Sequence, residues 1–143
     1  MWKQKKERER EKGREGSESG RDLRDSQRSH YFTPEEANKK LREVRPLVSR
    51  IVELKKLADR CTRASRERYR IVGEIGVRIA KLEEMGIEMK DLDTGLIDFP
   101  ALRFGEPVYL CWRLGESEVS HWHDRTEGFR GRKLLKPEVA AIR

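Results

Sequence analysis

The stretch that decides the fold runs from Gly95 to Arg132 and reads GLIDFPALRFGEPVYLCWRLGESEVSHWHDRTEGFRGR. It contains two of the three tryptophans, two of the three histidines and one of the two cysteines. Its apolar and polar residues alternate in short runs, a period of two that is typical of β-strands with one buried face. Because chemically active side chains concentrate here, any specific chemistry of the chain is expected in this stretch.

Short strands are predicted in this stretch and just before it. Their expected bounds are about 87–90, 96–99, 107–113 and 118–123. Pro100 is expected to end the second strand, because proline has no amide hydrogen to donate to a neighbouring strand. The rest of the chain, from Asp124 onward, is expected to be irregular.

A two-residue turn at Gly115-Glu116 is predicted to set the register of the last two strands. This turn places Trp112 opposite Val119 and Leu110 opposite His121. The side chains expected on one face are then Val108, Leu110, Trp112, Val119, His121 and His123. Since side chains alternate between faces, a slip of one residue would reverse this division.

Ahead of the strands, apolar residues recur at helical spacing and predict two helices, at about 34–62 and 65–85. Thr33 suits the N-cap of the first helix, and Glu36 completes a capping box. Pro46 should bend this helix without ending it. The expected buried stripe of the second helix is Tyr69, Val72, Ile75, Ile79, Leu82 and Met85.

The two helices are predicted to form a long antiparallel hairpin. In the first, apolar residues alternate in steps of four and three, a pattern typical of a coiled-coil seam. Gly73 and Gly76 lower the helix propensity of the second, so the close approach of another backbone would be a natural compensation. A hairpin alone leaves apolar surface uncovered. We therefore expect the sheet and a second subunit to cover it, which predicts a homodimer formed through the helices.

The fold class expected from these elements is α+β, a helical hairpin followed by a small antiparallel sheet. Residues 1–28 hold few apolar side chains and are expected to form a disordered charged tail, which leaves 29–143 as a single domain. The chain has no apolar run long enough to cross a membrane and no signal peptide, so a cytoplasmic protein is expected.

The formal net charge of +7 is spread along the chain. Residues 1–30 carry ten basic and seven acidic side chains, and the remaining residues carry 23 and 19. Nucleic-acid binding usually needs positive charge concentrated on one face. Association with a ribosome or a nucleic acid is therefore a third hypothesis, behind the two stated below.

Two constellations of polar residues suggest chemistry within the strands. His121 and His123 share one strand face, a spacing that metal sites on β-scaffolds use, and Glu116 is a carboxylate that could complete the set. Asp98 lies between apolar residues. It could form a catalytic acid–base pair with His123, or a structural ion pair. The commoner alternative to a metal site is that one histidine forms a hydrogen bond in the sheet while the other lies at its edge.

A loop after the last strand carries Arg130 and Arg132 between glycines. Guanidinium groups are suited to bidentate contact with phosphate or carboxylate, so these arginines, with Trp112, could recognise an anionic ligand. Pairing of the same arginines with nearby acids is an equal alternative.

The order of motifs resembles an uncharacterised prokaryotic family known as domain-of-unknown-function family 2203, over about residues 30–135. The matching motifs are Tyr31-Phe32-Thr33, Glu36-Ala37-Asn38, Lys90-Asp91-Leu92, Gly95-Leu96-Ile97-Asp98-Phe99-Pro100, Val108, Leu110-Cys111-Trp112, Gly115-Glu116, Trp122-His123, Gly128-Phe129 and Gly131-Arg132. The resemblance implies a small prokaryotic cytoplasmic protein of this architecture and brings no established activity. It favours His123 over His121 as a site residue.

Two functional hypotheses follow. The first is a binding or adaptor module that recognises an anionic ligand or partner through its C-terminal β-region. The second is a small metal-dependent or acid–base enzyme that uses Asp98, Glu116 and His123. The sequence identifies neither a cofactor nor a substrate.

Overall fold

Two helices begin the part of the chain that the computed structural model describes, residues 30–135. Helix α1 spans Pro34–Asp59 and helix α2 spans Arg66–Glu84. They pack against each other as a helical hairpin. The charged tail predicted at 1–28 and the last residues, 136–143, lie outside the described part.

Helix α1 begins as its sequence predicts. The Thr33 hydroxyl accepts a hydrogen bond from the Glu36 amide, and the Glu36 carboxylate accepts one from the Thr33 amide, so the capping box is confirmed. The helix continues through Pro46 to Asp59. Its apolar stripe faces the core, and the buried side chains at helical spacing are Ala37, Leu41, Val44, Val48, Ile51, Leu54 and Ala58. The helix ends three residues before the predicted 62, so Cys61, which continues the same spacing, lies beyond it and is partly buried.

Helix α2 ends in a glycine cap. Gly86 has a φ of +86°, and the Ile87 amide donates to the Leu82 carbonyl at 3.0 Å, which is the six-to-one hydrogen bond of a Schellman motif. The predicted buried stripe of this helix was wrong at its N-terminal end, because Tyr69 is 85% exposed and Val72 is 47% exposed. Ile71 takes the buried position there, one helical turn before Ile75.

Five antiparallel strands follow the helices in a meander, each paired with the next along the chain. They are β1 Glu88–Asp91, β2 Leu96–Arg103, β3 Glu106–Arg113, β4 His121–Asp124 and β5 Lys133–Leu134. A short 3₁₀ turn, Phe129–Gly131, precedes β5, so this segment is less irregular than expected. The architecture is α+β, which confirms the predicted fold class.

Pro100 does not end β2, contrary to the prediction. The strand continues to Arg103, with Pro100 opposite Tyr109 of β3. The short strand β1 pairs with β2 only as far as Asp98, so the other edge of β2 is open at Pro100. There the Pro100 carbonyl accepts a hydrogen bond from the Phe32 amide at 2.7 Å. Because both backbone groups of one residue in an antiparallel strand point the same way, the missing proline N–H breaks no bond to β3.

The predicted register between β3 and β4 was wrong by one residue. Cys111 pairs with His121 and Tyr109 pairs with His123, whereas the turn at Gly115-Glu116 predicted Leu110 opposite His121. The two histidines therefore lie on the opposite face from Trp112. The slip places the Trp122 ring among the buried core residues instead of two imidazoles, which removes more apolar surface from water.

A seven-residue connection, 114–120, replaces the predicted two-residue turn. The Glu116 amide donates to the Arg113 carbonyl, and the intervening Gly115 has a φ of +106°, so the turn begins one residue earlier than expected. The Trp112 indole N–H then donates to the Glu116 carbonyl at 3.0 Å. Val119 is buried, and its amide donates to the side chain of Asn38 in α1. Glu118 and Ser120 therefore lie outside β4.

The sheet has an inner and an outer face. Inner-face side chains join the stripe of α1 in one hydrophobic core, and they include Ile97, Phe99, Leu110, Trp112 and Trp122. The outer face carries the titratable residues described below. Within residues 30–135, no helix has the length and apolar character needed to span a bilayer.

Candidate functional site

The outer face of the sheet brings together polar residues from three adjacent strands. The backbone register aligns Asp98 of β2, Cys111 of β3 and His121 of β4 in one row across the sheet. His123 lies opposite Tyr109 in the next row. Asp98, Cys111 and His123 are buried on the side of the sheet that faces away from the helices. The burial of these three side chains is unusual, because the outer face of a two-layer fold is commonly solvated.

Asp98 and His123 form a buried pair. The His123 Nε2 atom lies 3.0 and 3.1 Å from the two Asp98 carboxylate oxygens, and its Nδ1 atom lies 2.7 Å from the Asp124 carbonyl oxygen. The two side chains are only 4% and 3% exposed. The predicted contact between Asp98 and His123 is therefore present in the fold.

The surroundings of His123 favour its protonated form. A carbonyl oxygen can only accept, so Nδ1 carries a hydrogen, while Nε2 faces a carboxylate. Burial lowers the pKa of His123, but the hydrogen bond and charge of Asp98 and the Asp124 carbonyl outweigh it and raise the pKa above its usual value. Both ring nitrogens therefore face acceptor oxygens, an arrangement that favours an imidazolium paired with the Asp98 carboxylate.

Cys111 lies beside this ion pair. Burial and the neighbouring charge of Asp98 raise the pKa of the Cys111 thiol to about 12, so the thiol is neutral and unreactive at neutral pH. One ligand atom from each of Asp98, Cys111 and His123 lies within 4.8 Å of the other two. Among residues 30–135, this is the group of three that is arranged closely enough to hold a metal ion.

A second ion pair, between Arg132 and Glu116, lies next to Cys111 on the outer face. The Arg132 guanidinium donates to both Glu116 carboxylate oxygens, at 2.9 and 3.0 Å. Burial raises the pKa of Glu116, but hydrogen bonds from Arg132 and the Arg113 amide outweigh it and hold that pKa below its usual value. Burial and the charge of Arg132 lower the pKa of the half-buried His121, so this imidazole is neutral at pH 7.

A cavity of about 300 Å³ opens onto the Asp98–His123 pair. Its other lining residues come from β1, β2 and β3 and from the loop that follows β4; they are Lys90, Leu96, Tyr109, Arg125, Thr126, Glu127, Gly128 and Phe129. The Lys90 ammonium lies 5.8 Å from the centre of the Tyr109 ring. The cavity therefore joins cationic groups, an aromatic ring and a buried ion pair.

A larger cavity of about 600 Å³ lies elsewhere, between α1 and the connection from Ser117 to Ser120. Its lining includes Leu135, where the described part of the chain ends, and it contains no histidine or cysteine. Because its ionisable groups lie at the surface of α1 and of the connection, it offers less chemistry than the smaller cavity.

Two of the predicted ligand-binding residues, Trp112 and Arg130, do not join this group. Trp112 was predicted to contact a ligand, but it is fully buried on the inner face. Arg132 is held by Glu116, and Arg130 is exposed in the 3₁₀ turn. The predicted metal set of Glu116, His121 and His123 is divided, because Glu116 pairs with Arg132 and His123 pairs with Asp98.

Sequence reasoning missed Cys111, Tyr109, Lys90 and Arg125 as site residues. With the correct register, Cys111 and Tyr109 would have appeared on the same face as the histidines. Lys90 and Arg125 carry no comparable signal, because they reach the site through the strand order and the path of a loop. Asp98, Cys111, Glu116, His123 and Arg132, which belong to separate short motifs, nevertheless converge on one face.

Comparisons with known proteins identify the family of this chain. Searches of curated proteins and of solved structures each found no significant match. A family model described as "Uncharacterized conserved protein (DUF2203)" matches residues 30–135, which is the whole of the described fold. The chain therefore belongs to the uncharacterised protein family DUF2203.

Proposed function

We propose that this protein is a binding module that takes a small anionic ligand in the outer-face cavity. The observation that carries the proposal is the convergence of Lys90, Arg125 and the protonated His123 on one cavity of about 300 Å³. A cavity of this volume is at the small end of the range for small-molecule sites.

The charges of the cavity favour an anion. Three cationic groups line it, against the carboxylates of Asp98 and Glu127. Asp98 is neutralised by His123, and Glu127 accepts a hydrogen bond from the Lys133 ammonium at 2.9 Å. The Lys90 ammonium lies 3.1 Å from a Glu88 carboxylate oxygen, in a partly exposed ion pair that a bound phosphate or carboxylate would replace. Basic side chains on two sides of the cavity then attract and orient an anion.

The site recognises the ligand through a different set of groups from the one that the sequence suggested. Arg132 already donates to both oxygens of Glu116, so its guanidinium would have to leave an ion pair to reach a ligand. Lys90 and Arg125 line the cavity itself, and the ion pair of Lys90 with Glu88 is more exposed than that of Arg132 with Glu116. The loop around Gly128, whose φ is +70°, provides backbone close to the ligand.

Titration with inorganic phosphate, followed by ¹H–¹⁵N correlation spectra of the full chain, tests this function. We expect saturable chemical-shift changes at residues that line the cavity, among them Tyr109, His123 and Gly128. The double substitution Lys90→Ala/Arg125→Ala should abolish these changes, because it removes two of the three cationic groups.

Arg130→Ala is the matched control for this titration. It removes one positive charge from the same loop region, outside the cavity lining, and should leave the phosphate-induced shifts unchanged. Shifts that do not saturate, that centre outside the cavity, or that disappear in Arg130→Ala alone would contradict the proposal. A panel of small carboxylates in the same assay would then define the ligand class.

An acid–base enzyme is the second candidate, and it is supported by the lining of the cavity by His123. Against it, both nitrogens of His123 are engaged in hydrogen bonds, so this imidazole is not poised to abstract a proton. His121 is neutral but does not line this cavity. Binding therefore fits the geometry better than proton transfer.

A further inference from the structure

We propose that Asp98, Cys111 and His123 form a binding site for a divalent transition metal, of which Zn²⁺ is the expected occupant. These residues differ from the set that the sequence suggested, in which Glu116 and His121 accompanied His123. The site shares Asp98 and His123 with the lining of the ligand cavity, but metal binding there does not require an anion.

The first support is the convergence of three kinds of ligand atom. A carboxylate oxygen, a sulfur and an imidazole nitrogen lie within 4.8 Å of one another, each contributed by a different strand of a rigid sheet. Tetrahedral zinc with bonds of about 2.0 to 2.3 Å separates its ligand atoms by roughly 3.3 to 3.7 Å. Side-chain adjustments of about 1 Å would therefore close the site around an ion. The Cys111 thiol and the His123 Nε2–H would lose their protons to solvent as the metal binds, which makes the affinity rise with pH.

The second support is the orientation of His123. Its Nδ1–H donates to the Asp124 carbonyl, and its Nε2 faces Asp98. Zinc-bound histidines typically donate their other ring N–H to a backbone carbonyl or a carboxylate, which fixes the ring. In His123 the metal would take the place of the Nε2 proton, between this nitrogen and the Asp98 carboxylate. The backbone of β4 itself provides this arrangement.

The third support is the open side of the site. Three protein ligands leave one position of a tetrahedral zinc ion unfilled, as in catalytic sites and unlike closed structural sites with four ligands. Asp98 and His123 line the cavity, so a water molecule or an anionic ligand can reach that position. The mixed oxygen, nitrogen and sulfur set suits zinc better than magnesium or calcium.

Titration of the full chain, without a histidine tag, with Co²⁺ as a spectroscopic substitute for Zn²⁺ tests this site. We expect one equivalent to bind, with a thiolate-to-cobalt charge-transfer band and intense visible bands of tetrahedral cobalt. Zn²⁺ should displace it stoichiometrically. Cys111→Ser, which preserves the size of the side chain, should remove the charge-transfer band and weaken binding about 100-fold or more.

Cys61→Ser is the matched control, because Cys61 is the other cysteine and lies at the end of the helical hairpin, away from the sheet. His121→Gln separates this site from the set predicted from sequence. Both variants should bind cobalt like the unsubstituted chain. Asp98→Asn, checked for native circular dichroism, should weaken binding while retaining the charge-transfer band at saturating cobalt.

Failure of one equivalent to bind would overturn the metal site, and so would a charge-transfer band that survives Cys111→Ser or is lost in Cys61→Ser. Such results would leave Asp98 and His123 as a structural ion pair beside a neutral thiol. They would not affect the phosphate titration, so failure of the metal site and failure of the anion site are distinguishable.

A separate observation concerns the exposed face of α2, where we infer a homodimer contact with a second copy of this chain. Tyr69 is 85% exposed, and Val77 is 58% exposed. On the same face, Gly73 and Gly76 have no atom within 4 Å of the position that a Cβ would occupy. Helix α2 therefore presents an apolar face whose centre is formed by two glycines. The rest of the described chain does not cover this face.

Charge and side-chain size along α2 specify the orientation of the partner. In an antiparallel pair about a two-fold axis near residues 74 and 75, each Gly73 lies against the Gly76 of the partner subunit, and each Tyr69 lies over the Ala80 of the partner subunit. The basic Arg66, near the start of α2, then meets the acidic Glu83, near its end. Such a contact is self-complementary, as a two-fold dimer requires.

Sedimentation equilibrium of the full chain tests the dimer. We expect a dimer for the unsubstituted chain and a monomer for Gly73→Gln/Gly76→Gln, because glutamine favours helix but separates the two backbones. Arg66→Glu should raise the dimer dissociation constant about tenfold or more, and adding Glu83→Arg should restore it. A monomeric unsubstituted chain, or a dimer that is insensitive to these substitutions, would contradict the inference.

Discussion

At the scale of single residues, the contact between Asp98 and His123 organises the outer face of the sheet. Its two partners come from strands β2 and β4, and the strand between them carries Cys111. Burying two charges is costly unless they pair, and removing one partner leaves the other charge uncompensated. The pair therefore fixes the relative positions of three strands as well as the floor of the cavity.

His123→Leu is expected to lower the free energy of unfolding by about 3–5 kcal/mol, because it leaves the Asp98 carboxylate buried without a partner. The double variant Asp98→Val/His123→Leu should be much less destabilised than the sum of the two single variants. Urea unfolding at pH 7 in the presence of a chelator measures all four proteins. Additive effects of the two substitutions would show that the pair is not coupled.

Glu116 is expected to make the stability depend on pH under acidic conditions. Its pKa is lowered in the folded chain, so its contribution is fully present above the unfolded value of about 4.3 and is lost as the pH falls through the lower folded value. Urea unfolding between pH 6 and pH 3 should therefore show a steeper loss for the unsubstituted chain than for Glu116→Gln. Equal slopes would contradict the assigned role of the Arg132 pair.

At the scale of elements, the bounds of the two helices could be predicted closely from the sequence, but the pairing of β3 with β4 could not. The capping box at Thr33, the stripe of α1 and the cap at Gly86 depend on local spacing, which a sequence displays directly. The register of β4 depends instead on how many residues the preceding connection uses. Contacts of Val119 with Asn38, which is 81 residues away, decide that number, and no local pattern reveals them.

The residues of the site were likewise predictable where the signal was local and not where it depended on strand register. Asp98 could be paired with His123 from the sequence, because Asp98 lies between apolar residues of one predicted strand and His123 ends another. The predicted register placed Cys111 on the opposite sheet face from the histidines, whereas the structure places them on the same face. A slip of one residue moves every side chain of a strand to the other face. The burial of Tyr69 in α2 was predicted wrongly for a similar reason. Its helical spacing is the same whether the stripe packs against the core of its own chain or against a partner.

The turn between β1 and β2 is expected to tolerate no side chain at Gly95. Its φ is +73°, and a Cβ there would lie 2.8 Å from Leu114 and 2.9 Å from Val48. Gly95→Ala should lower the free energy of unfolding by about 2–5 kcal/mol, from backbone strain and overpacking together. Thermal and urea unfolding measure the loss.

Gly105→Ala is the control for this prediction. Gly105 also has a positive φ, +81°, but no atom lies within 4 Å of its Cβ position. Its substitution should lower the free energy of unfolding by about 1–2 kcal/mol, from backbone strain alone. Equal losses at the two positions would mean that the contact of the turn with α1 contributes nothing measurable.

At the scale of the whole molecule, the two layers have separate tasks. Helix α1 and the inner face of the sheet provide the hydrophobic core, and the outer face provides the chemistry. Helix α2 faces the opposite way and carries the apolar patch that we assign to a second copy. Ligand site and dimer contact therefore lie on different sides of the fold, so a variant at one should leave the other intact.

The proposed binding centre of Asp98, Cys111 and His123 on the outer face of the sheet can be located by an anomalous difference map, collected at the zinc edge from crystals of the full chain grown with Zn²⁺. We expect one peak within bonding distance of Asp98, Cys111 and the His123 Nε2 atom, with its open side towards Lys90 and Arg125. A map without this peak, or with zinc bound only at Glu116 and His121, would contradict the proposed centre.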